Sequence, residues 1–224
     1  ELEYEVTFVK KIVQVSFGNY YYERFMRPMR EKQDNILLIL DILNILLIGE
    51  EKDNVKGKIL IKVDKMSRLF CFLKEKYFSI VFPFEIEQRA GYENVYKRYD
   101  AILDMEIDNR IVVLLERMLV RINFIDNTVD EIIENAYLDV SEEGYTEKEI
   151  SNCFGLMLRL LSLELGYIRY DYDPEHVNGN LHPLHHLDIN YTSKGTYKLG
   201  LKGKMEEDEF VDLLDIKTEC KYVI

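Results

Sequence analysis

The chain has 224 residues, 47% of them hydrophobic and 31% charged, the composition of a folded chain rather than a disordered one. Its formal net charge is −12, so the surface as a whole repels nucleic acid and anionic membrane, although a local basic patch can override that total. Three scattered cysteines, Cys71, Cys153 and Cys220, form no C-x-x-C pair; this argues against a disulfide scaffold and for reduced thiols in a cytoplasm.

No basic-then-apolar signal pattern opens the sequence, which begins without Met. With 4 prolines, 11 glycines and no composition step, the expected organisation is one domain over 1–224. Two lobes, 1–100 and 101–224, are its natural division.

Residues 2–17 place apolar side chains at Leu2, Val6, Val9, Ile12, Val13 and Phe17, a roughly helical spacing whose Val/Ile/Thr content also allows a strand. After Gly18–Asn19 comes a run of tyrosines and arginines: Tyr20, Tyr21, Tyr22, Arg24, Arg27 and Arg30. Arginines three apart can track phosphates while tyrosines stack on bases, and both residue types are enriched in protein interfaces. Glu23, Glu31 and the overall charge weigh against nucleic acid. Asp34 is the expected N-cap of a helix over 35–48 that stops at Gly49. The apolar run within it is too short for a membrane span, which needs about 20 residues. Asp41 and Asn44 share one face of that helix and point to a wet edge.

Lys58–Asp64 and Phe78–Glu87 read as strands, the second with Pro83 at an edge or bulge. Asp100, Asp104, Glu106 and Asp108 read as a solvated stretch without a calcium-loop pattern. Asn109–Asn123 and Glu147–Leu165 have the apolar spacing of core-facing helices. Thr146 and Glu149 form a capping-box pair, with Gly166 as the stop. Then the period changes. Tyr167–Asp173, His185–Tyr191 and Thr196–Leu201 alternate apolar and polar residues and read as three half-buried strands, before a last amphipathic helix over Met205–Ile216.

All four histidines, His176, His182, His185 and His186, fall within eleven residues of this region. Strand parity turns Ile168, Tyr170, Tyr172, Leu187 and Ile189 to one side. It gathers Arg169, Asp171, Asp173, His186, Asp188, Asn190 and Lys198 on the other. Imidazole and carboxylates together can hold a divalent ion, whose bound water becomes a nucleophile. The candidate ligands are His182, His186, Asp171 and Asp188; Asp171, Asp173, Asp188 and Lys198 are the candidate catalytic groups. Arg169 would bind a phosphate or carboxylate. The plainer alternative is a solvated face of ion pairs, with His185 in the core and the His182 imidazole bonded to backbone. No P-loop, G-x-S-x-G or G-x-G-x-x-G is present.

The order Arg169-Tyr170-Asp171-Tyr172-Asp173, then His182-Pro183-x-x-His186-Leu187-Asp188, then Thr196-Tyr197-Lys198-Leu199-Gly200-Leu201 resembles the R-x-D-Y-D … H-P-x-x-H-L signature of a bacterial family of unknown function. The likeness covers residues 167–216. It implies a bacterial cytosolic protein of a multi-gene locus such as a phage-defence island, and makes Arg169, Asp171, Asp173, His182, His186 and Asp188 the positions of interest.

The expected fold is α+β, a mainly antiparallel sheet whose last three strands form a meander packed against helices 109–123 and 147–165. The first functional expectation is a non-enzymatic accessory protein, binding a protein partner through Tyr20–Arg30 and helix 35–48. The alternatives are a metal-dependent phosphodiesterase or nuclease, with a divalent cofactor at the His/Asp cluster, and nucleic-acid binding by the Tyr/Arg segment.

Overall fold

The computed structural model describes residues 12–63, 66–88, 91–92, 95–121, 144–192 and 195–221, with single positions between 128 and 134. Leu2, Val6 and Val9 lie outside the described residues. The chain forms two units by interleaved segments rather than at a boundary near residue 100. One is built on Glu31–Gly49 and Phe84–Leu163, the other on Lys10–Arg30, Glu50–Pro83 and Glu164–Ile224.

The first unit is mainly helical. Its α2 (Lys32–Ile48) follows the shorter α1 (Asn19–Met26) of the other unit. Glu31, not Asp34, is the N-cap of α2. Asp34 sits at the third helical position and returns its carboxylate to the Glu31 backbone N–H at 2.9 Å, so the acid expected as the cap is the reciprocal half of a capping box. Gly49 ends the helix at φ 97°, where a side chain would be strained. Asp41 is buried and Asn44 half-buried, so the expected wet edge is largely closed.

The unit continues with β5 (Glu85–Gln88), β6 (Tyr96–Asp100) and β7 (Met105–Glu106), which form a three-stranded antiparallel sheet. Then come α3 (Asn109–Arg121) and α4 (Glu147–Ser162). The Thr146/Glu149 capping box is formed as expected, whereas α4 stops at a Leu163 cap, before Gly166. Residues 122–123 of the expected helix lie outside the described ones. Asp100 corrects the expectation of a solvated acidic stretch: it is fully buried, accepts from the backbone N–H of Ile102 and Leu103 at 3.0 Å each, and pairs with Arg159.

The second unit is a seven-stranded sheet, antiparallel throughout, in the order β1-β2-β3-β4-β8-β9-β10. Its strands are β1 (Ile12–Phe17), β2 (Gly57–Lys62), β3 (Arg68–Phe72), β4 (Lys76–Val81), β8 (Ile168–Tyr172), β9 (His185–Thr192) and β10 (Gly195–Gly200). The strand expected over 78–87 is therefore two. β4 ends at Val81 and β5 starts at Glu85, in different sheets, because Pro83 has no N–H to give a ladder. β3, β6 and β7 had no counterpart among the expected strands; β3 (RLFCF) is buried along nearly its whole length and lacks alternation.

The last three strands form the expected meander. One face of this sheet carries Phe70, Phe72, Tyr77, Ile168, Tyr170 and Leu187, which pack on Phe210 and Val211 of the short C-terminal α5 (Glu207–Asp212). This helix spans only the middle of the expected 205–216. Helices 109–123 and 147–165, expected against the meander, are α3 and α4 of the other unit and pack on each other there. Burial of an aromatic cluster of this kind contributes about 1.5–3 kcal/mol per large side chain, which fixes the register. A slip by one residue would send Tyr170 and Leu187 to the other face.

Candidate metal centre

Register assembles the opposite face. Reading across from β1, one row runs Val15, Ile59, Cys71, Phe78, Arg169, Asp188 and Lys198; the next includes Lys76, Asp171, His186 and Gly200. The face is apolar from β1 to β3, carries Lys76 beside Phe78 on β4, and becomes charged at β8. Phe25 of α1 covers part of the apolar half, edge-on to Phe17 and Phe78 at ring separations of 5.0 and 5.9 Å.

Asp171, His186 and Asp188 converge, one ligand atom from each lying within 4.8 Å of the others. The expected outward face is not solvated here: His186 is 1% exposed and Asp188 7%. Pro183 is a reason for that. It lies against Gly200, where an added Cβ would stand 3.0 Å from the Pro183 ring. This seats the Pro183 carbonyl 2.9 Å from His186 Nδ1. A carbonyl only accepts, so Nδ1 carries a proton, and Nε2 is the ring nitrogen left to serve as a ligand. That nitrogen faces two carboxylate oxygens, Asp171 Oδ2 at 3.6 Å and Asp188 Oδ1 at 4.0 Å.

Both separations are too long for hydrogen bonds. They suit an ion between them, because two ligands about 2.1 Å from one ion stand at most about 4.2 Å apart. Asp188 Oδ1 is buried and has no hydrogen-bond partner among the described residues. A carboxylate oxygen in that condition is costly unless something completes it.

Arg169 lies between the two acids. Its Nε donates to Asp171 Oδ2 at 2.6 Å and its terminal nitrogen pairs with Asp188 Oδ2. Burial weakens its proton affinity, but Asp171, Tyr167 and Asp188 outweigh that and hold the guanidinium more firmly charged than usual. Lys76, opposite Asp171, is buried and donates to the carbonyls of Phe25 at 2.7 Å and Arg27 at 3.2 Å. Burial, then the charge of Arg169, lower its ammonium to about 8, against partial support from Asp171 and Cys71. Burial likewise raises the Tyr167 phenol, which stacks on Phe78.

Outside the triad, Asp173 accepts from His176 Nδ1 at 2.9 Å and stands 3.9 Å from His182 Nε2. Burial opposes ionisation of Asp173, yet the bonds from His176 hold its carboxyl below the usual range. The same bond raises His176. The His182 ring lies 4.6 Å from that of His186, and its Nδ1 is buried without a hydrogen-bond partner among the described residues. The backbone contact expected for His182 is thus made by His186. His182 is half-buried beside the triad rather than within it.

His185 turns to the other face, stacked on Tyr170 and Tyr172, with Nδ1 2.8 Å from the Tyr170 hydroxyl. Lys198 is exposed, one strand out from Asp188. The side chains of Asn190 and Thr196 lie outside the described ones. In the Tyr/Arg segment, Tyr20 is 65% exposed with the Arg24 guanidinium over its ring at 5.6 Å. Tyr21 and Tyr22 are half-buried and Arg27 and Arg30 exposed.

Two parts of this site carried no signal in isolation: the Pro183–Gly200 buttress and Lys76. A His-Pro dipeptide and a glycine at strand parity become informative only once β9 and β10 are known to pair. No family model, curated protein or solved structure matches the chain.

Proposed function

We propose that this chain binds a divalent transition-metal ion through Asp171, His186 and Asp188 and uses it to hydrolyse a phosphoester. The observation that carries the reading is the His186 ring. One nitrogen is tied to a backbone carbonyl, and the other faces two carboxylates at distances that suit a shared ion. Two carboxylates and one imidazole favour Mn²⁺, Zn²⁺ or Ni²⁺ over Ca²⁺, which prefers oxygens alone. An ion held by Asp171, His186 and Asp188 would supply a bound water of lowered pKa as nucleophile; its oxygen would bond to phosphorus as the ester P–O bond broke, and the leaving oxygen would take up the proton that the water lost. His182, its ring 4.6 Å from that of His186 and its Nε2 3.9 Å from Asp173, would be the group to exchange that proton, with Asp173 behind it.

The test combines elemental analysis with turnover of bis(4-nitrophenyl) phosphate. Purified protein is expected to hold one ion per chain and to release nitrophenolate, with both lost in His186→Ala. Protein free of Mn, Zn and Ni, whose melting temperature is unmoved by these ions, would end the reading.

A second reading, a protein-binding accessory module, draws on the exposed Tyr20 with Arg24 of α1, and on Arg27 and Arg30 just beyond it. It does not extend to helix 35–48, most of which is buried. Binding of nucleic acid by the same segment would need the three arginines to override the charge of −12.

A further inference from the structure

We propose that Arg169 is an internal cation that holds the Asp171–His186–Asp188 site closed, and that an entering divalent ion displaces its guanidinium outward to bind the phosphate of the substrate. This rests on the metal-binding reading above.

One carboxylate oxygen serves two neighbours. Asp171 Oδ2 is the atom that faces His186 Nε2 at 3.6 Å and also the acceptor of the 2.6 Å bond from Arg169 Nε. An ion that bonds this oxygen therefore competes with Arg169 for it. Asp188 divides its two oxygens instead, Oδ2 to Arg169 and Oδ1 left open toward His186.

Charge gives the direction of the exchange. Two carboxylates and one guanidinium sum to −1. Adding a divalent ion while keeping Arg169 would make the cluster +1, with the Lys76 ammonium already facing Asp171 across β4 and β8. Like charges at such separations in a buried setting repel strongly. Displacing one cation relieves this repulsion, and the Lys76 amine is tied to two carbonyls. Arg169 has the long stem and is partly open to water, its side chain 21% exposed. Once swung out, its planar fork matches two non-bridging oxygens of a phosphate bound to the ion. A phosphate group is thus the substrate chemistry that both the ion and the released arginine recognise.

The experiment is calorimetric titration of the intact chain with Mn²⁺, then of the Mn²⁺-loaded chain with inorganic phosphate. The proteins compared are wild type, Arg169→Met, Arg169→Lys and His186→Ala. Removing the resident cation should tighten Mn²⁺ binding about tenfold or more in Arg169→Met, with Arg169→Lys intermediate. Phosphate should bind the Mn²⁺-loaded wild type, and neither the metal-free wild type nor loaded Arg169→Met. Mn²⁺ binding in Arg169→Met equal to or weaker than in wild type would overturn the proposal while leaving the metal site intact. Failure of every protein to take up Mn²⁺ would remove the metal site itself and the proposal with it. Should Arg169→Met fold only with Mn²⁺ present, that rescue counts in favour. Should it fold in neither state, Arg169→Lys decides, and an affinity no higher than wild type then counts against.

Discussion

His186 and Pro183 are joined by a 2.9 Å bond from Nδ1 to the carbonyl oxygen, and that bond sets which way the other ring nitrogen faces. Pro183 in turn rests on Gly200, where a side chain's Cβ would crowd the proline ring at 3.0 Å. The orientation of the imidazole is therefore fixed from β10, a strand that contributes no ligand.

Replacing Gly200 by Val should push Pro183 away and loosen His186 without removing a ligand. Losing an orienting partner typically lowers metal affinity about 10- to 100-fold. Mn²⁺ titration of the variant checks this, with Gly203→Val, at a position open to space, as the unaffected control.

His185 and His186 are sequence neighbours on opposite faces. His185→Gln breaks the bond to the Tyr170 hydroxyl and should cost about 1–2 kcal/mol of stability in urea unfolding. Metal uptake should be unchanged. Equal loss of metal in His185→Gln and His186→Ala would mean that both act through the fold.

Asp188→Ala removes one partner of a buried ion pair and leaves Arg169 undercompensated. The expected cost is about 3–5 kcal/mol, read from urea unfolding without added metal. A cost under about 1 kcal/mol would place the pair in the class of weak surface bridges.

Lys76 makes stability depend on pH. Burial lowers its ammonium from the ordinary 10.5 to about 8 in the folded chain. Below about pH 8 both states hold the proton and burial weighs fully against the fold. Between about 8 and 10.5 the folded chain releases the proton first, so the unfolded state binds more protons and stability rises with pH. The stability of wild type relative to Lys76→Met should therefore grow by about 2–3 kcal/mol between about pH 7.5 and about pH 10. A difference that stays flat would contradict this.

Much of the site is legible in the alternation of residues 167–173 and 185–191. Period two, with aromatics on one side, fixes which side chains share a face, and a two-faced strand cannot slip without burying the wrong set. What alternation cannot give is strand order. That β4 precedes β8 in the sheet depends on pairing between residues about ninety positions apart, and it brings Lys76 opposite Asp171 and ties the end of α1 to the site's edge. Nor does alternation say that a polar face is wet. The 182–184 turn, held at Gly200, buries His186, and the charged residues there face one another rather than solvent. The division at Pro83 shows the same limit: its missing N–H was readable, whereas the change of sheet was not.

The most direct measurement is a crystal structure of the chain grown with Mn²⁺, with anomalous diffraction collected at the manganese edge. The account predicts one anomalous peak about 2.1–2.3 Å from His186 Nε2, Asp188 Oδ1 and Asp171 Oδ2, with the Arg169 guanidinium turned away from Asp171. No peak at that position, with Arg169 still bridging the two aspartates, would contradict it.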